Sequence, residues 1–75
     1  MAKYDEFVLM YFRNFPDSTL GQVAHALYTR YPREFDRTSM PEHTARVHAQ
    51  NSINSLIKYG HLEITAKYPK TYRVK

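Results

Sequence analysis

SMPEHTARVHAQNSINSLIKYG, residues 39–60, decides how the chain is read. Ser39 is a good N-cap, and Glu42 three residues later completes a capping-box pattern. Pro41 falls in the first turn, where a missing N–H costs nothing. Gly60 follows Tyr59 in the place of a left-handed terminator. At about 100° per residue, Ala45, Ala49, Ser52, Ile53, Leu56 and Ile57 gather on one side of this helix. Thr44, Val47, His48, Asn51, Asn54, Ser55 and Lys58 occupy the other. That outer face has almost no acid and many short donors and acceptors, the chemistry that suits base edges and phosphates.

The charge is distributed in keeping with this face. The formal net charge is +4, and residues 1–42 carry five basic against six acidic side chains. Residues 43–75 carry Arg46, Lys58, Lys67, Lys70, Arg73 and Lys75 against Glu63 alone. The positive charge therefore shares a half of the chain with the polar helix, and a polyanion is its natural partner.

Working outward, the 75 residues make one domain, 1–75, near the lower size limit for a self-sufficient core. With no cysteine, neither a disulfide nor a thiolate metal site staples it. Aromatic residues, 15% of the chain, are the means of filling so small a core. No apolar run approaches the roughly 20 residues of a membrane span, and the start lacks the plan of a signal peptide. The expected setting is the cytoplasm or the nucleoid.

A first helix is expected over residues 3–14, stopped by Pro16, with a stripe of Tyr4, Phe7, Val8, Tyr11 and Phe15. FVLMYF at residues 7–12 is apolar without a break, so this helix needs cover on a second side. Either the C-terminal strand or another protomer supplies it. In the second case Leu9, Met10 and Phe12 form a dimer or partner interface.

Residues 19–31 give the cleanest amphipathic pattern, with Leu20, Val23, Ala24, Leu27, Tyr28 and Tyr31 on one stripe and Asp17 or Ser18 as cap. Pro32 ends that helix. A charged connector over residues 32–38 follows, anchored by Phe35. After Gly60 the period becomes two: Leu62, Ile64 and Ala66 alternate with Glu63, Thr65 and Lys67, and Tyr72 and Val74 share a face of a second strand. An odd loop centred on Pro69 would pair Ala66 with Tyr72 and Ile64 with Val74, keeping the apolar faces together.

The order α-α-α-β-β, mainly α with a small β-hairpin, resembles the winged helix-turn-helix superfamily. TARVHAQNSINSLIKYGHLEI is similar to its third helix and first wing strand, through Ile53, Leu56, Gly60, Leu62 and Ile64. TLGQVAHAL is similar to the preceding helix of the motif. The connector at residues 31–39 is longer than the turn of a compact helix-turn-helix, and the wing tip carries Pro69.

The resemblance implies a small double-stranded DNA-binding protein of transcriptional-regulator type, sequence-specific or accessory. Its recognition helix, about residues 41–59, would enter the major groove, and its basic wing, residues 65–73, would lie on phosphates. Thr44, Val47, His48 and Asn51 would face the bases, with Arg46 and Gln50 at the flank. Lys58, Lys67, Lys70 and Arg73 would contact phosphates. The alternative on the same scaffold is a protein-interaction module or small inhibitor that binds a protein partner.

Nothing in the sequence suggests catalysis, a cofactor or a metal. Gly21 and Gly60 are the only glycines, too few for a phosphate-binding loop. His43 and His48 lie about 140° apart on the helix and do not share a ligand position.

Overall fold

The computed structural model describes residues 3–75. Helix α1 spans Asp5–Asn14, α2 Leu20–Arg30, α3 Pro32–Asp36 and α4 Pro41–Lys58. A two-residue strand β1 (Ser18–Thr19) precedes α2, and β2 (Leu62–Lys67) and β3 (Lys70–Val74) close the chain. The three strands form one antiparallel sheet in the order β1-β3-β2. The fold is thus mainly helical with a small sheet.

Asp5 and Glu6 in the first turn of α1 and Arg13 in the last complement the helix dipole. The buried stripe is Tyr4, Asp5, Val8 and Phe12, rotated from the one the aromatic spacing suggests. Phe7 and Tyr11 fall to its flank, half-buried, and Phe15 is exposed. Two contacts explain the rotation. Ser55 Oγ of α4 donates to Asp5 Oδ2 at 3.2 Å, which turns Asp5 inward. Tyr72 of β3 packs its ring 5.6 Å from that of Phe12. The C-terminal strand is therefore the second cover of α1. Phe12, expected at an interface, is instead 0% exposed and belongs to the core.

Helix α2 buries Val23, Ala24 and Leu27, chiefly against α4. Its cap is neither Asp17 nor Ser18 but Thr19. Thr19 Oγ1 accepts from Gln22 N, and Gln22 Oε1 accepts from Thr19 N at 2.8 Å, a complete capping box. Asp17 and Ser18 serve the approach instead. Asp17 takes φ 63°, a left-handed turn that a short polar side chain tolerates, and its N–H donates to Tyr72 O at 2.9 Å. Ser18 is buried, and its hydroxyl donates to Phe15 O at 2.8 Å.

The connector after Pro32 winds into α3, which buries Phe35 among Tyr4, Tyr28 and His48. The anchor role read for Phe35 is observed.

Helix α4 starts with Pro41 at its first position, but its N-cap is Met40 and no side chain caps it. The expected Ser39–Glu42 box does not form, because the helix begins one residue too late for Ser39 to reach it. The buried seam of Ala45, Ala49, Ser52, Ile53 and Leu56 is as the periodicity indicates. At the other end Gly60 has φ 80°, its N–H donates to Ile57 O, and His61 N donates to Leu56 O. This is a Schellman termination.

The hairpin register differs from the expected one. Lys67 pairs with Lys70 across a two-residue tip, Tyr68-Pro69, joined by a cis peptide. Ala66 then faces Thr71, the ladder slips at Thr65, and Ile64, Glu63 and Leu62 face Tyr72, Arg73 and Val74. A bulge adds one residue to one strand and so restores the parity that an odd loop would otherwise supply. Parity alone does not distinguish the two solutions. Leu62 and Tyr72 end in the core, while Ile64, on the outer strand, remains exposed.

Candidate nucleic-acid interface

With its seam buried, α4 presents an outer strip of Val47, Asn51, Asn54 and Lys58, all exposed. From His43 to Lys58 the helix carries no carboxylate. Each flank of the strip is a shallow cleft, and the clefts differ in chemistry.

On one flank Thr44 and His48 share a cleft with Lys3, Tyr4, Glu34, Phe35, Arg37 and Thr38. The His48 ring meets Tyr4 edge-on at 5.3 Å and Phe35 at 5.9 Å. Lys3 Nζ donates to Glu34 Oε1 at 2.7 Å and the Tyr4 hydroxyl donates to Glu34 Oε2 at 3.0 Å. The Lys3 hydrogen bond, then that of Tyr4, holds the Glu34 carboxyl below the ordinary carboxylate value. Burial, reinforced by Glu34, pushes the Tyr4 phenol up. His48 thus leans on an aromatic ledge at the edge of the strip, and Thr44 is half-buried beside it.

On the other flank Arg46 and Gln50 share a cleft with Thr19, Leu20, Gly21, Pro69, Lys70 and Tyr72. Three elements meet there: the start of α2, the middle of α4 and the hairpin. Arg46 Nη1 lies 3.6 Å from where a Cβ on Gly21 would sit, an ordinary contact distance that places the guanidinium against the start of α2. Burial pushes the Tyr72 phenol up, and the Gln50 amide beside it acts in the opposite direction. Gln50 Nε2 also donates to Asn54 Oδ1 at 2.8 Å, which ties two polar side chains of the face together.

The basic residues are not equivalent. Arg73 Nη2 bonds Glu63 Oε1 at 3.2 Å, an ion pair on the outer face of the sheet. Lys58 lies over the Tyr59 ring at 5.8 Å. Arg46, Lys67 and Lys70 form no ion pair among the described residues. Of the residues named from the sequence, the structure gathers Arg46, Gln50 and Lys70 in one cleft, and Thr44 and His48 in another. Val47 and Asn51 lie between them, while Lys67 stands at the hairpin tip.

One exposed side chain of the hairpin has no role in the expectation from sequence. Tyr68, at the tip, is 96% exposed, and an aromatic flanked by lysines beside a turn proline was the available signal. Among the described residues no three His, Cys, Asp or Glu side chains could hold a metal together, and no helix is long and apolar enough to cross a membrane.

No protein-family model matches the chain, and no curated protein or solved structure shows significant similarity to it.

Proposed function

We propose that the chain is a winged helix-turn-helix domain that binds double-stranded DNA, as a transcriptional regulator or an accessory factor. In this reading α4 enters the major groove and the β2–β3 hairpin is the wing. The single observation that carries it is the convergence of Arg46, Gln50 and Lys70 at the junction of three elements, beside an α4 strip without carboxylates. Asn51 and Val47 are then the central base-edge contacts, an amide for adenine and an apolar group for a thymine methyl. Arg46, Lys58, Lys67 and Lys70 hold phosphates and fix the register. Arg73, already paired with Glu63, contributes less.

A dimer through α1 is not part of this proposal. With Phe12 buried, the apolar side chains left at the surface of α1 and its C-cap are Met10 and Phe15, with Phe7, Leu9 and Tyr11 half-buried. A protein partner remains the second reading, favoured by Val47, 43% exposed at the centre of the α4 strip.

The test is binding of labelled duplex DNA by fluorescence anisotropy across a salt series. Four uncompensated cations predict a log–log slope of about −3.6, and removing two predicts about −1.8. Between 50 and 200 mM salt the wild type should lose ~150-fold in affinity, and K67A/K70A only ~12-fold. Arg73→Ala should leave the slope near that of the wild type. No binding at about 50 mM salt would refute DNA binding and favour the protein partner.

A further inference from the structure

The hairpin tip contains a side chain that the fold does not use. Tyr68 is 96% exposed, its ring packs on no other ring among the described residues, and its hydroxyl forms no hydrogen bond there. Directly beneath it Lys67 and Lys70 are cross-strand partners. Like charges placed opposite each other repel, and no carboxylate of the described residues bridges these two. The tip is thus an unpartnered aromatic plane above a pair of cations that an anion between them would relieve. A nucleotide offers both complements at once, a flat base and a phosphate.

We propose that Tyr68, with Lys67 and Lys70 at its base, is a stacking platform for an unpaired nucleobase, so that the domain prefers duplexes interrupted by single-stranded bases. The proposal rests on the DNA-binding reading and specifies a substrate for it. Unpaired is the operative word. In an intact duplex both faces of an internal base are covered by its neighbours, and exposing one requires unstacking or extrusion. At a gap or junction that separation already exists. The lysines contact the backbone of the same strand, and stacking tolerates any base because each has a π-face.

The experiment compares a fully paired labelled duplex with one of identical ends interrupted by a short central gap of unpaired thymines. The full chain is tested with Tyr68→Ala and Tyr68→Trp. Because the side chain is exposed, neither substitution threatens folding, and circular dichroism melting verifies this. The wild type is expected to bind the gapped duplex about tenfold more tightly than the paired one. Tyr68→Ala should abolish the preference while leaving affinity for the paired duplex unchanged. Tyr68→Trp should retain the preference. As the chain contains no other tryptophan, its fluorescence should be quenched by the gapped duplex and not by the paired one.

Equal binding of both duplexes by the wild type would overturn the proposal, as would a Tyr68→Ala defect of the same size on each, or an unquenched tryptophan on gapped DNA. Binding to paired DNA without preference refutes the proposal alone. Failure to bind either DNA refutes the DNA-binding reading, and the proposal falls with it.

Discussion

Replacing Phe12 with alanine distinguishes a core helix from an interaction helix more sharply than any other single change in α1. Phe12 is 0% exposed, with its ring 5.6 Å from Tyr72 and 5.7 Å from Tyr11. It joins α1 to β3, so little can collapse into the space it leaves without displacing the sheet. Phe→Ala at such a site costs about 3–5 kcal/mol. A chain of this length is stable by roughly 4–11 kcal/mol, so the loss is a large part of the total. At about 4–8 °C per kcal/mol for a domain of this size, the melting temperature should fall by at least ~12 °C. The control is Met10→Ala, since Met10 is 55% exposed and its truncation should stay within about 0.5 kcal/mol. Urea denaturation and thermal melting, each followed by far-ultraviolet circular dichroism, give the free energies and the melting temperatures of both variants. Sedimentation of the folded variants reports whether α1 joins copies of the chain. A Phe12→Ala midpoint within ~4 °C of the wild type, or a Met10→Ala effect equal to it, would refute the assignment of Phe12 to the core.

Two further outcomes follow from the caps and the tyrosines. Thr19→Ala should cost about 0.5–2 kcal/mol by removing the box with Gln22, whereas Ser39→Ala, at a cap that does not form, should stay within about 0.5 kcal/mol; urea midpoints compare them. Stability should also fall on the alkaline side. Burial raises the phenols of Tyr72 and Tyr4, and the bond to Asp36 raises that of Tyr28. The Glu34 hydrogen bond raises the Lys3 ammonium as well. Each group keeps its proton longer in the folded state, so its contribution is full below the unfolded value near 10 and is lost as pH rises through the folded one. Glu34 has the opposite sign: its contribution is present above the unfolded carboxylate value near 4.3 and disappears as pH falls through the depressed one. Melting temperatures across pH should show both limbs, with Tyr72→Phe softening the alkaline limb and Glu34→Gln the acid one.

Features that depend on one helix were legible, and features that depend on where neighbours sit were not. The seam of α4 and the stop at Gly60 need only the 3.6-residue period and a left-handed glycine, and both are found. The Phe35 anchor needed only a lone large apolar residue in a charged stretch. In α1, by contrast, FVLMYF offers several apolar stripes of similar merit. Which one turned inward was decided by Ser55, fifty residues away, and by Tyr72, sixty residues away. The capping errors have a different origin. Ser39 and Glu42 match the box pattern as well as Thr19 and Gln22 do, and only the point at which the helix starts separates them.

The element least visible in the sequence also does the most to shape the candidate site. Ser18–Thr19 is too short to read as a strand, yet Ser18 pairs with Tyr72 and Thr19 with Thr71. Thr19 is at once the last residue of β1 and the cap of α2, so the start of α2 is fixed directly to the hairpin strand. Without that link the hairpin would be held by the end of α4 and by the packing of Tyr72 on Phe12, and Lys70 would lose its ladder tie to the start of α2. With it, Arg46, Gln50 and Lys70 border one cleft whose third wall is the α2 start itself. The basic residues are therefore more than a charged tail. Their spacing is set by a ladder of two residue pairs, and breaking that ladder should weaken contacts that depend on geometry more than those that depend only on charge.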